Sequence, residues 1–209
     1  MQTDTPQRLL KEKLRQKRAE IILDVAEEVF AEKGYSDASM DEVAARAGVS
    51  KGTLYQHFPT KEDLIFALIE QSLVRFEQIV QQAVVSASTA QAKLECILHA
   101  VYMEQHGLRA QLLRLLQSSE DLRRRLCERK GQLRGHLDQV TRQIGGILEE
   151  GKAAGVFDPT IATELMLLTF LHLLSLKRQE HLFIQEQLSP EEVVAQIGRL
   201  FFEGITQKA

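Results

Sequence analysis

The sequence predicts an all-α protein, and three observations carry that prediction. Apolar residues recur at helical spacing from one end to the other, with no period-two alternation of the kind that marks strands. Single capping residues, glycines and prolines punctuate these runs. Only four prolines and twelve glycines occur in 209 residues, and β-branched clusters are few.

Composition bounds the rest. The chain is 44% hydrophobic and 26% charged, at globular averages, which excludes wholesale disorder and membrane residence. Its length suits one large domain or two small ones. The longest greasy stretch, Leu165 to Leu176, is interrupted by Thr169, His172 and Ser175. A spanning helix needs ~20 apolar residues, so this stretch reads as a buried or interface helix. The first twenty residues are polar and lack an apolar h-region, so no secretory signal is expected and the chain reads as cytoplasmic. Cys96 and Cys127 alone make neither a disulfide framework nor a thiolate zinc site. With 26 basic and 29 acidic residues the net charge is −3, which on the mean argues against a nucleic-acid partner.

The elements follow in order. Ile22, Val25, Ala26, Val29 and Phe30 form a helical stripe after a basic start, and Gly34 suits a left-handed cap. Ser39 and Glu42 have capping-box spacing and open a helix of two turns that Gly48 stops. Ser50 opens a second short helix through His57, and Pro59 bars its continuation. Thr60 and Asp63 cap a long helix reaching about Val85, with Leu64, Leu68, Phe76, Ile79, Val80 and Ala83 on its apolar positions. After a linker at Ser86 to Thr89, Leu94, Ile97, Leu98, Val101 and Tyr102 mark a fifth helix that Gly107 ends. A short helix over about 108–116 follows. Ser118 then opens a long charged helix closed by Gly155, in which the Gly145-Gly146 pair predicts a kink or close approach. Asp158-Pro159 predicts the start of the next helix, to about Glu180, and Ser189-Pro190-Glu191-Glu192 the start of the last.

The two short helices are the sharpest signal. Ala47-Gly48-Val49 joins them, with Ala44 four residues before Gly48, and this is the spacing of a helix-turn-helix. A steep crossing through a tight turn needs a small residue in the first helix, a glycine at positive φ and an apolar plug. Ala44, Gly48 and Val49 fill those roles, over a small core of Ile22, Val25, Phe30, Val43, Leu54 and Phe58. Ser50, Lys51, Gly52 and Thr53 crowd the start of the second helix, where free amides and the dipole favour a phosphate. Gln56 can bond an adenine edge, Lys51 a guanine edge, and the Thr53 methyl can meet thymine. Tyr55, His57 and Lys61 suit phosphates better. A solvated face of a small bundle is the competing reading.

The residues Phe30-Ala-Glu-Lys-Gly34-Tyr35 and the run from Asp41 through Gly48, Tyr55 and Lys61 to Leu64 resemble the DNA-binding domain of the TetR family of bacterial repressors. The resemblance is dense over about residues 17–70. Gly151-Lys-Ala-Ala-Gly155-Val-Phe157-Asp158-Pro159 is similar to a weaker family marker. The resemblance implies about nine helices, a homodimer and a palindromic double-stranded operator. It also implies DNA-contact positions for Lys51, Gly52, Tyr55, His57 and Lys61, to which the two N-caps and the helix face add Ser39, Ser50, Thr53 and Gln56. Gln56 stands where many members carry an aromatic residue, so base reading and backbone contact both stay open for it.

Upstream of that unit, Arg8, Lys11, Lys13, Arg15, Lys17 and Arg18 face only Asp4 and Glu12. Such an arm, residues 1–17, can track a phosphate backbone or enter a minor groove, or it can fray in solvent.

The remaining helices carry apolar faces too wide for one isolated subunit. Leu168 and Leu171 with Val194, Ile197 and Phe201 are the expected dimer contacts, in a four-helix interface. Polar groups among core-type residues suggest an effector site: His99, Tyr102, Met103 and His106, then Gln143 and Ile147, then Thr169, Phe170, His172 and Leu173. For each of these, a packed core is the alternative. Cys127 among Arg123, Arg124 and Lys130 reads either as a thiol sensor or as an incidental cysteine.

Catalysis finds little support. His99 and His106 lie about two turns apart, too far to share a metal without other ligands. No phosphate loop or nucleophile elbow is present, and no cofactor is expected. The reading is therefore a ligand-responsive transcription regulator and not an enzyme. Residues 1–62 would bind DNA, with a recognition helix at about 50–57, and residues 63–209 would bind a lipophilic or aromatic effector and dimerise. The alternative is the same DNA-binding unit controlled by a protein partner or by thiol oxidation. The net charge does not exclude DNA, because what DNA meets is local: the basic arm, Lys51 and Lys61.

Overall fold

The computed structural model describes residues 6–103, 124, 128–174 and 188–206. Among these residues the chain forms eight helices: α1 Pro6–Asp37, α2 Met40–Arg46, α3 Lys51–His57, α4 Lys61–Ser86, α5 Ala90–Met103, α6 Lys130–Ala153, α7 Thr163–Leu173 and α8 Pro190–Ile205. Extended pairing among them is confined to one bridge, between Phe157 and Thr206. The fold is all-α, as the periodicity predicts. The segment 104–123, with His106 and the expected short helix at about 108–116, lies outside the described residues, as do Cys127 and residues 175–187.

Local chemistry sets most boundaries. Gly34 (φ 74°) breaks the first helix, and Gly48 (φ 65°) turns α2 into α3. Ser39, Ser50, Thr60 and Ser189 each accept an amide of the helix they start. The boxes at Thr60–Asp63 and Ser189–Glu192 are reciprocal. At Ser39 only half a box forms, because the Glu42 carboxylate turns instead to Lys33 and Arg46. The expected helix start at Asp158-Pro159 is a correction. Asp158 Oδ1 accepts from the Thr160 amide and hydroxyl, which makes a turn, and α7 begins only at Thr163. The close approach expected at Gly145-Gly146 falls elsewhere. Among the described residues no atom of a neighbouring element lies within 4 Å of a Cβ placed on either, whereas one on Gly151 would meet the Phe157 ring at 2.1 Å.

Two cores result. Ile22, Ala26, Val29, Phe30, Val43, Ala44, Leu54 and Phe58 make the first, joined by Leu64, Ile65 and Leu68 from the start of α4. Phe76, Val80 and Ala83, further along α4, belong to the second, with α5, α6, α7 and α8. One unbroken helix of 26 residues therefore serves both cores. At 1.5 Å per residue it is ~39 Å long.

Candidate nucleic-acid interface

Only Leu54 of α3 is fully buried; Lys51, Gly52, Tyr55 and Gln56 are exposed, with Thr53 and His57 half-buried. Leu54 anchors the helix on the first core, and its neighbours in sequence are thereby turned outward together. The Ser50 hydroxyl caps the Thr53 amide at 3.1 Å, and the two side-chain oxygens lie 2.8 Å apart. That pairing leaves the Thr53 methyl as its free offer. Lys51 Nζ is paired with Asp41 on the first turn of α2. Both side chains are largely exposed, and an exposed pair of this kind contributes ~0–1 kcal/mol, so a phosphate can displace the carboxylate.

Behind this face, charges brace the unit. Arg46 Nη2 bonds Glu32 at 2.7 Å and Glu42 at 2.9 Å, and Lys33 reaches Glu42 at 2.8 Å. The hydrogen bond from Arg46 holds the Glu32 carboxyl below its ordinary value, and that from Lys33 does the same for Glu42.

The basic arm from Pro6 onward is a helical continuation of α1, exposed along its length. It runs near the far end of α3. Burial lowers the His57 imidazole from its ordinary value, and the charges of Arg15 and Arg18 lower it further. Arg15 and Arg18 thus bring positive charge close to His57 at one edge of the exposed face, a proximity that sequence spacing does not reveal.

Lys61 differs from the others. Its ammonium donates to the Tyr35 carbonyl and, at 2.5 Å, to the Ala38 carbonyl. It also sits 4.2 Å from the Tyr35 ring centroid and 5.8 Å from that of Phe30. Burial lowers its pKa, against the opposite pull of Glu62 and Asp37.

The effector candidates divide in space. Tyr102, Ile147 and Phe170 are buried in the second core, with Leu173 packed against it. The Tyr102 hydroxyl donates to the Leu173 carbonyl at 3.0 Å, and burial raises its pKa. Met103 is half-buried. Among the described residues Gln143 Oε1 is buried without a hydrogen-bond partner. Thr169 and His172, by contrast, are exposed and bond back to the Leu165 and Leu168 carbonyls of their own helix. His99 is exposed too, on the wall of a groove of about 750 Å³ between α5 and α8. Gln91, Glu95, Arg199, Glu203 and Thr206 also line it, and no sequence signal singles them out.

Of the expected dimer contacts, Leu168 is exposed, Leu171, Val194 and Ile197 are half-buried, and Phe201 is inside the core against Phe170 at 5.3 Å. Leu165 and Leu200, which lie on the same two wide apolar helix faces, are 59% and 74% exposed. Among the described residues no helix is long and apolar enough to cross a membrane, and no His, Cys, Asp and Glu cluster could hold a metal.

A short helix braced on a three-helix core, with its cationic and amide-bearing side chains turned outward, defines a helix-turn-helix transcription regulator. The family model for bacterial regulatory proteins of the tetR family matches residues 22–68. The fatty acid metabolism regulator protein of Bacillus subtilis is 32% identical over 148 residues, covering 68% of this chain and 73% of that one. The transcriptional activator FasR of Mycolicibacterium smegmatis is 38% identical over 88 residues, 42% of this chain and 40% of its own. The crystal structure of the FadR regulator of Bacillus subtilis with stearoyl-CoA superposes with a TM-score of 0.69 at 22% identity, over 89% of this chain and 98% of that one. The chain belongs to the TetR family. It is a DNA-binding regulator of transcription, and not an enzyme.

Proposed function

We propose that the protein represses transcription as a homodimer on a palindromic operator and is released by a lipophilic small molecule. The observation that carries the DNA-binding half is the outward face of α3. On this reading Lys51, Thr53, Tyr55 and Gln56 meet base edges and adjoining phosphates, with Ser50, Gly52 and His57 towards the ends of α3 and Ser39 at the start of α2. Two copies would occupy successive major grooves about 34–36 Å apart. Leu165, Leu168 and Leu200 supply an apolar surface through which the copies can pair.

For the effector, the Gln143 oxygen, which has no hydrogen-bond partner among the described residues and lies beside an apolar core, supports a ligand with a long apolar body and one hydrogen-bond donor. A buried acceptor left unmade costs ~1–3 kcal/mol, which a ligand can relieve. A fold neighbour was solved with stearoyl-CoA, so long-chain acyl-CoA thioesters are the first class to test. Their amide and hydroxyl groups offer donors and their tails the apolar body. Binding would favour a different setting of α4, and a coupling of ~1–3 kcal/mol is enough for a useful loss of operator affinity.

The test is selection of bound sites from random DNA, repeated with stearoyl-CoA and with free coenzyme A. A palindromic consensus lost only with the acylated compound is the expected result. A consensus without twofold symmetry overturns the dimer reading, and one indifferent to acyl-CoA overturns the effector class.

A further inference from the structure

Lys61 is the first residue of α4, and everything about its ammonium points inward. Two of its three donors go to the carbonyls of Tyr35 and Ala38, in the last turn of α1 and just beyond it. Its remaining side lies over the faces of Tyr35 and Phe30, a cation–π seat. Next to it, the Tyr35 hydroxyl donates to Glu62 at 3.3 Å, a second tie between the same turn and the same helix end. Glu62 and Asp37 stand near enough to act on the ammonium's charge. A phosphate approaching Lys61 would meet carboxylates as well as a cation two of whose three donors are already engaged. Lys51 is the contrast: its ammonium is exposed, and its described partner is an exposed carboxylate.

We infer that Lys61 is a positioning residue and not a phosphate contact: seated on Tyr35 and Phe30 and bonded to the Tyr35 and Ala38 carbonyls, it fixes the angle at which α4 enters the DNA-binding unit. This inference rests on the DNA-binding reading of α3. The geometry explains why the angle matters. The same α4 packs on the second core through Phe76, Val80 and Ala83. Play at its first turn therefore becomes play in where α3 sits relative to the rest of the subunit. A dimer reading two half-sites at a set spacing is sensitive to that play, whereas a single unit on a single half-site is not.

The test uses the full-length protein, the palindromic duplex obtained by selection and a duplex carrying one half-site. Lys61→Met keeps the aliphatic stem over the rings and removes the donors, while Lys61→Arg restores a cation with donors. For Lys61→Met, affinity for the palindrome should fall by about tenfold, within the usual span of coupling effects. Half-site affinity and the slope of log affinity against log salt should stay at wild-type values, and Lys61→Arg should recover most of the deficit. Removal of a genuine phosphate partner would instead lower that slope by ~0.9 per subunit and weaken the half-site equally, and that outcome overturns the inference. So does an unchanged palindrome affinity. Should Lys61→Met fail to fold, Tyr35→Leu removes the ring and leaves the ammonium. The same split between palindrome and half-site is expected from it, at smaller amplitude, and an equal weakening on both duplexes counts against the inference. If wild-type protein selects no palindrome at all, it is the DNA-binding proposal that fails, not the placement of Lys61.

Discussion

Gly151 and the Gly145-Gly146 pair occupy one helix and yet should respond oppositely to the same substitution. The Phe157 ring fills the space where a Gly151 side chain would go, and the Phe157 and Val156 amides both bond the Gly151 carbonyl. Neither ring nor backbone can retreat without breaking that turn. Gly151→Ala should therefore destabilise by about 1–3 kcal/mol, the usual range for overpacking. Gly146 is exposed with open space around its would-be Cβ, so Gly146→Ala should stabilise by ~1 kcal/mol through helix propensity. Denaturant midpoints of the two variants check the signs. At the DNA face, Lys51→Ala and Tyr55→Ala should abolish operator binding in an anisotropy titration while the circular dichroism stays native. His57 adds a pH dependence. Its free-state pKa is lowered, so folding stability declines as pH falls below the ordinary histidine value of about 6.5. A neighbouring phosphate would raise the same group, so binding takes up a proton and operator affinity should rise as pH drops from about 8 to about 6. His57→Gln should flatten that profile, and a flat wild-type profile would remove His57 from the interface.

At the scale of the element, the arm is the clearest case. A helical arm with Arg15 and Arg18 beside His57 brings fixed charge to one edge of the recognition face. Truncation before Lys17 should weaken operator binding and reduce its salt slope, by ~0.9 for each phosphate the shortened chain no longer neutralises. Equal slopes for full-length and truncated protein would leave the arm no part in binding the backbone. The elements themselves were largely legible in the sequence because their limits are local events. Gly34, Gly48, Pro59, Thr60 and the Ser189-Pro190 start each act within one turn, and each marks a boundary in the structure. What escapes a sequence is tertiary. Thr169 and His172 lie amid apolar residues along the chain, yet their helix turns them outward with Leu165 and Leu168. Phe201 shares a helical stripe with half-buried residues, but α8 packs it against Phe170. Asp158-Pro159 has the composition of a helix start, and the Thr160 hydroxyl diverts it into a turn.

For the whole molecule, the exposed leucines of α7 and α8 are where the proposed assembly can be tested. Leu168→Glu or Leu200→Glu would put a charge into the proposed dimer surface, so either should give a monomer by sedimentation and a loss of palindrome binding. A dimer that survives both changes would place the interface elsewhere. The sharing of α4 between two cores has a further consequence. No loop separates Leu68 from Phe76, so neither core can open without withdrawing packing from the other, and the subunit should melt as one cooperative unit. A compound that tightens only the distal core would then slow amide exchange in the small helices it never touches, because protection is inherited through the common helix.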